Sequence, residues 1–292
     1  MNLRIGTRGS PLALEQTNIF IQQLNSIGIQ NIKIIAIKTT GDIIKDQPLY
    51  DIGGKALFAK EIEYALLNNE IDCAVHSLKD LETIMTPGLM LAAILERADP
   101  RDCLISRENI TLKNLPLRSH VGTCSPRREA QINQIRPDLK ISSIRGNIQT
   151  RLKQIEEGHY DATLLAVAGL RRMGLMEFSC ETFDPEDILP AAGQGAIAIQ
   201  IRDGENELLK ILKPLNHEQS AQCVYTERKV LGYIKGNCRT PIAAYAILQE
   251  DGNLFLRAKL WQDGIYRYAE GVGDNSLELA QRVAQTLMEF DQ

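Results

Sequence analysis

Leu3-Arg4-Ile5-Gly6-Thr7-Arg8-Gly9-Ser10-Pro11-Leu12-Ala13-Leu14 places a strand, a polar turn and a helix start in one short run. Leu3–Thr7 has the apolar alternation of a strand. Ser10 carries a hydroxyl suited to capping a helix, and Pro11 fits the first helical position, where its missing N–H costs nothing. The pattern returns downstream, with His120–Thr123 as strand and Ser125-Pro126 as a second capped start. Lys33–Lys38, Asp72–His76, Leu91–Leu95, Lys140–Ile144 and Ala162–Val167 also read as strands. Ala56–Asn69 and Asn147–Glu157 read as amphipathic helices, the latter closed by Gly158. Strands alternating with helices predict parallel sheets covered by helices on both faces. Charge and Pro100 break the rhythm across Glu96–Arg101, which divides this region into two α/β domains.

The last third has a different grammar. His217–Tyr233 reads as a helix, followed by strands at Ile242–Leu248, Leu254–Trp261 and Ile265–Tyr268. Glu250-Asp251-Gly252-Asn253 and Asp263-Gly264 are hairpin turns, and Leu277–Phe290 closes the chain as a helix. A small α+β domain with an antiparallel sheet follows.

Composition narrows the function. A chain of 292 residues exceeds what one hydrophobic core holds. The net charge of −4 and an aromatic content of 5% argue against a nucleic-acid binder, which needs basic and stacking surfaces. The start at Met1 runs directly into strand pattern, and the apolar run Ala162–Leu170 is short and bracketed by Asp161 and Arg171. We therefore expect a soluble, cytoplasmic protein with no membrane partner. The six cysteines include no C-x-x-C pair, and the four histidines lie far apart, so neither a disulfide framework nor a metal site is expected. Only Cys238 stands out, in a turn between Lys235 and Arg239 that favours a nucleophilic thiolate. An inert loop cysteine is the other reading of that residue.

In open α/β sheets, ligands bind beyond the carboxyl ends of the strands. Arginines recur at that position: Arg8 after the first strand, Arg127 and Arg128 after Ser125, Arg145 and Arg151 around a helix start, and Arg171 and Arg172 after Leu170. The macrodipole opposes cations in a first helical turn, so the set at helix starts serves something other than helix stability. Guanidinium forks matching carboxylates or phosphates explain it better than a solvated face. His76-Ser77-Leu78-Lys79-Asp80 adds a base, a hydroxyl, a cation and a carboxylate at the end of a buried strand. An ionised Asp80 could stabilise a cationic intermediate and move a proton. From spacing alone, a loop salt bridge between Lys79 and Asp80 explains those two residues better. Gly53-Gly54-Lys55 resembles a phosphate loop without the full pattern.

Taken in order, these segments resemble the hydroxymethylbilane synthase (porphobilinogen deaminase) family. The likeness spans the chain: Ile5–Leu14, Gly53–Phe58, Ala74–Asp80, Glu96–Asp102, Arg145-Gly146-Asn147, Ala166–Leu170, Pro190–Ala196 and the Cys238 turn. It implies two periplasmic-binding-protein-like, doubly wound α/β domains with the active site between them. Domain 1 would comprise 1–95 and 196–214, domain 2 residues 96–195, and the α+β domain 3 residues 215–292. It also implies a transferase that deaminates porphobilinogen through an azafulvene-type cation. Four units are joined head to tail on a dipyrromethane cofactor, thioether-linked to Cys238, and hydroxymethylbilane is released.

By position, Asp80 matches the catalytic carboxylate. Lys79, Ser10, Thr123, Ser125, Arg127, Arg128 and Arg145 match cofactor contacts. Arg8, Lys55, Phe58, Arg151, Arg171, Arg172 and Gln194 match groups on the substrate side. Thr40, Glu82, Cys124, Pro126, Asn237 and Arg239 depart from the common family pattern without removing any of these residues. The resemblance carries an expectation of a monomer. A non-catalytic two-lobed binding protein for a polycarboxylate would use the same arginines but give Asp80 and Cys238 no task.

Overall fold

The computed structural model describes residues 2–43, 58–235, 240–262 and 264–289. The chain begins β1 (Leu3–Arg8), α1 (Pro11–Ser26), β2 (Ile32–Ile37), the single turn α2 (Thr40–Ile43), α3 (Lys60–Leu67), β3 (Cys73–Ser77) and β4 (Leu89–Ile94). A first crossing leads to β5 (Asp102–Ser106), β6 (His120–Gly122), α4 (Pro126–Ile135), β7 (Lys140–Ser142), α5 (Ile148–Glu156), β8 (Ala162–Ala166), α6 (Val167–Arg172) and β9 (Glu181–Thr182). A second crossing returns the chain as β10 (Ile197–Arg202), followed by α7 (Asn206–Leu212) and α8 (Glu218–Ile234). The end of the chain is β11 (Ile242–Leu248), β12 (Leu254–Gln262), β13 (Ile265–Gly273) and α9 (Ser276–Met288).

The described residues form three sheets, in the orders β2-β1-β3-β10-β4, β7-β6-β8-β5-β9 and β11-β12-β13. The first two are the doubly wound α/β lobes, and the third is the antiparallel sheet of the C-terminal region. The expectation of parallel sheets needs correction. β10 runs antiparallel to β3 and β4, and β5 runs antiparallel to β8 and β9. Each enters its sheet directly from a crossing, at the carboxyl ends of the parallel strands, so it can only run the other way. This brings Asp102 and the residues before Ile197 to the ends where ligands bind.

Local chemistry explains the elements. Ser10 Oγ accepts from Ala13 N at 3.3 Å and Ser125 Oγ accepts from Arg128 N at 3.4 Å, with proline opening both helices. Asn147 caps α5 by accepting from Thr150 N at 2.8 Å. Leu3, Ile5, Phe20, Leu24, Val75, Ile199 and Ile201 fill the first core, and Leu104, Val121, Ile132, Leu164 and Ile188 the second. On α9, Leu279, Val283 and Leu287 repeat every fourth position and bury against Leu254, Leu256 and Leu260 of β12. Burying each such side chain is worth about 1.5–3 kcal/mol.

Other boundaries differ from the sequence reading. The described part of the helix expected from Ala56 starts at Lys60, and β13 extends past Tyr268 to Gly273. Arg171 and Arg172 form the last turn of α6, where the macrodipole favours cations.

The crossings lie side by side. Ala98 N donates to Gly195 O at 3.3 Å. Gly195 has φ +88°, and a Cβ there would stand 2.4 Å from Ala98 O, so only glycine allows the approach. From α8, the buried Glu227 accepts from Arg97 on one crossing and from Gly193 N on the other.

Candidate active site

β1 and β3 end at one small cavity, lined by Arg8, Ser10, Gln16, Phe58, His76, Lys79 and Asp80. Arg8, the last residue of β1, binds Asp42 at 2.5 Å and lies 3.9 Å from Asp80 Oδ2. Its guanidinium stacks 4.1 Å from the centroid of the Phe58 ring. Thr39 Oγ1 donates to Asp42 at 2.8 Å, so the partner of Arg8 is itself held. Asp80 ends a 3₁₀ turn, Leu78–Asp80, with its carboxylate 36% exposed to the cleft. Arg228 of α8 fixes that turn from behind, donating to the carbonyls of Leu78, Leu81 and Glu82.

Lys79 does not pair with Asp80; its ammonium donates to Gln194 Oε1 at 3.1 Å. It is open to solvent at the cleft mouth, yet protein crowds the ammonium. That desolvation, with repulsion from Arg128, lowers its pKa to about 8. Gln194 is fully buried and joins the lobes. Its amide nitrogen donates to Pro100 O at 2.6 Å and to Asp102 Oδ1 at 2.9 Å.

Asp102 is the centre of the second wall. Arg127 donates to Oδ2 at 2.7 Å, and Arg128 donates to Oδ1 through Nη2 at 2.7 Å and Nε at 3.2 Å. All three side chains are buried. Burial alone would raise the Asp102 pKa, but the two guanidiniums outweigh it and hold the carboxyl below the usual range. Arg127 and Arg128 therefore do not open their whole forks into the cleft as the sequence reading expected. They grip a carboxylate of their own chain, with further bonds to Leu189 O and Leu164 O. Arg127 Nη2 and Nε have no hydrogen-bond partner among the described residues.

The other cations are partnered differently. Arg151 donates to Gly146 O at 3.0 Å and to Cys124 Sγ at 3.8 Å. Arg172 donates to Gly195 O at 2.7 Å, and desolvation lowers its pKa to about 10. Neither meets a carboxylate among the described residues. Arg171 is the exception in the set: exposed, and bound to Asp99 at 3.3 Å. Thr123 accepts from Ser125 N at 3.2 Å, so both serve the start of α4. Arg145, half-buried, precedes the loop that leads to α5. Lys55 and Cys238 lie outside the described residues.

Sequence reasoning missed Asp42, Asp102 and Arg228. Asp102 sits in Asp99-Pro100-Arg101-Asp102, which reads as a charged interruption. It gives no distinct signal, because Glu129 follows Arg127 and Arg128 directly and offers them a nearer counter-charge in the sequence.

A family model described as "Porphobilinogen deaminase, dipyromethane cofactor binding domain" matches residues 3–210, and one described as "Porphobilinogen deaminase, C-terminal domain" matches 221–289. The chain is 45% identical over 289 residues to a porphobilinogen deaminase of Halalkalibacterium halodurans, covering 98% of this chain and 93% of the relative. It is 46% identical over 255 residues to one of Rickettsia akari, covering 87% and 85%. Among solved structures, an arginine transport system periplasmic binding protein from Legionella pneumophila aligns with TM-score 0.41 and 15% identity, over 76% of this chain and 94% of that one.

Proposed function

The chain belongs to the porphobilinogen deaminase family, and from that premise we propose that Asp80 is its catalytic carboxylate. The enzyme is a transferase that deaminates porphobilinogen, joins four units head to tail on a dipyrromethane primer and releases hydroxymethylbilane. The binding-protein alternative rests on fold likeness alone.

One observation carries the assignment of the site. Arg151 and Arg172 are desolvated and meet no carboxylate among the described residues, and Lys79, at the mouth of the cavity, hydrogen-bonds Gln194 and not Asp80. Cations held that way favour a polyanionic ligand. Porphobilinogen and a dipyrromethane, with an acetate and a propionate on every ring, supply the missing charge, so the donor set fits the cofactor. Cys238 would hold it as a thioether, with Lys79, Ser10, Thr123, Ser125, Arg145 and the free Nη2 of Arg127 as polar contacts, and Arg128 shaping the wall. Bound there, the cofactor supplies the primer for elongation.

Arg8, Lys55, Arg151, Arg171 and Arg172 would orient substrate carboxylates, and Phe58 would pack the ring. Asp80 stabilises the positive charge that develops as ammonia leaves, and holds the proton exchanged at each coupling. Arg8 stands 3.9 Å from that carboxylate, on the same cavity. Gln194 ties Lys79 to Asp102, so the two walls share one hydrogen-bonded bridge. We propose the three-part domain division given above, and a monomer acting in the cytoplasm without nucleic-acid or membrane partners. Among the described residues no helix is long and apolar enough to cross a membrane.

Intact-mass and peptide mapping of protein made in cells that synthesise porphobilinogen test the assignment. The expected result is one dipyrromethane above the sequence mass, on the Cys238 peptide and resistant to reducing agents. An active enzyme without the adduct, or with the adduct on another cysteine, overturns it.

A further inference from the structure

His76 lies on β3 just upstream of Asp80 and is one of the residues lining the cavity that contains Arg8, Lys79 and Asp80. Behind it runs a line of side-chain hydrogen bonds. His76 Nε2 meets Gln200 Oε1 at 3.0 Å, Gln200 Nε2 donates to Glu63 Oε1 at 2.9 Å, and Thr86 Oγ1 donates to Glu63 Oε2 at 2.7 Å. His76, Gln200 and Glu63 are all buried, on three different elements of the first lobe.

The line has a direction. A carboxylate only accepts, so Glu63 takes the amide hydrogens of Gln200 and turns its oxygen toward the imidazole. An amide oxygen also only accepts, so the hydrogen between the two belongs to His76 Nε2. Burial, with a smaller push from Arg8, lowers the imidazole pKa to about 4 against the opposing effect of Gln200, which keeps the ring neutral at ordinary pH. Nδ1 is then a bare lone pair, with no hydrogen-bond partner among the described residues.

We propose that His76 is a substrate-binding residue whose bare Nδ1 accepts a hydrogen bond from an N–H of porphobilinogen, in a tautomer fixed by Gln200 and Glu63. The inference rests on the functional reading above and deepens it. Arg8 and Lys79 are donors and suit the carboxylates of the substrate. They offer nothing to its ring N–H and aminomethyl groups, which need acceptors. A neutral acceptor recognises such a donor without adding a second negative charge beside Asp80, so the cation-stabilising charge stays at one place.

The tautomer is read on the holoenzyme labelled with ¹⁵N-histidine, where only four imidazoles contribute and His76→Asn identifies the relevant one. The expected spectrum shows a protonated Nε2 and a pyridine-like Nδ1 that stays unprotonated down to about pH 5. Excess porphobilinogen in the cold should shift Nδ1 as it accepts a hydrogen bond. In kinetics, His76→Leu should raise KM about tenfold, one lost hydrogen bond in magnitude, and His76→Asn, whose amide oxygen can stand at the Nδ1 position, should recover most of it. Gln200→Leu should give mixed tautomers and an intermediate KM. A protonated Nδ1, an Nδ1 resonance unmoved by porphobilinogen, or an unchanged KM in His76→Leu would overturn the proposal while the enzyme still makes hydroxymethylbilane. A wild-type holoenzyme that makes none would overturn the functional reading itself.

Discussion

Glu227 and Arg97 form a two-point ion pair, 2.6 and 3.1 Å long, with the carboxylate wholly buried. The same carboxylate accepts from Gly193 N at 2.7 Å and from Ala246 N at 2.9 Å. One side chain of α8 thus holds both crossings and the first strand of the antiparallel sheet. Glu227→Ala should destabilise the protein by about 3–5 kcal/mol, because it strands a largely buried guanidinium and two amides. Urea unfolding measures this; a loss under about 1 kcal/mol would mean that water replaces the carboxylate at little cost.

Asp102 should show itself in acid. Its folded pKa is depressed, so its stabilising contribution is complete above the unfolded value near 3.9 and is lost as pH falls below it. Asp102→Asn should flatten the stability slope between about pH 4 and pH 2. It should also cost about 3–5 kcal/mol near neutrality, since two buried guanidiniums lose their counter-charge. Stability curves of the two proteins that run parallel through the acid range would refute the assignment.

Replacing Asp80 with Asn keeps the shape and removes the charge. Turnover should fall by two orders of magnitude or more, roughly the contribution of a positioned acid–base group. Thermal stability should hold, because the side chain is open to the cleft and its nearest cation among the described residues is 3.9 Å away. Product formation within a few-fold of wild type would exclude Asp80 as the catalytic carboxylate.

Lys79 should give the enzyme an alkaline limit. With its pKa lowered to about 8, the ammonium loses its proton earlier than an ordinary lysine, and with it the attraction for ligand carboxylates. KM for porphobilinogen should therefore rise as pH passes above about 8, a bound carboxylate displacing the rise upward. Lys79→Arg should flatten that rise, its guanidinium remaining charged throughout. A KM independent of pH in the wild type would mean that Lys79 does not meet the substrate.

Much of the scaffold could be read from local signals. Ser10-Pro11 and Ser125-Pro126 mark helix starts by chemistry that acts within a few residues, and the strands before them alternate clearly. β10 was harder, although Ile197, Ile199 and Ile201 alternate, because nothing local says which sheet a strand joins or in which direction. The site shows the same division. Arg8, Lys79 and Asp80 stand at strand ends and declare themselves. Asp102 and Glu227 look like solvated charges until the crossings bring arginines onto them. That Arg127 and Arg128 turn to Asp102 depends on the direction of β5, which no spacing encodes.

Gly195 has a mechanical consequence. A lobe on one tether can spin about it, whereas two tethers lying side by side, joined at Ala98 and Gly195, oppose torsion and leave a bending axis. The walls of the cleft would then part like a jaw instead of swivelling.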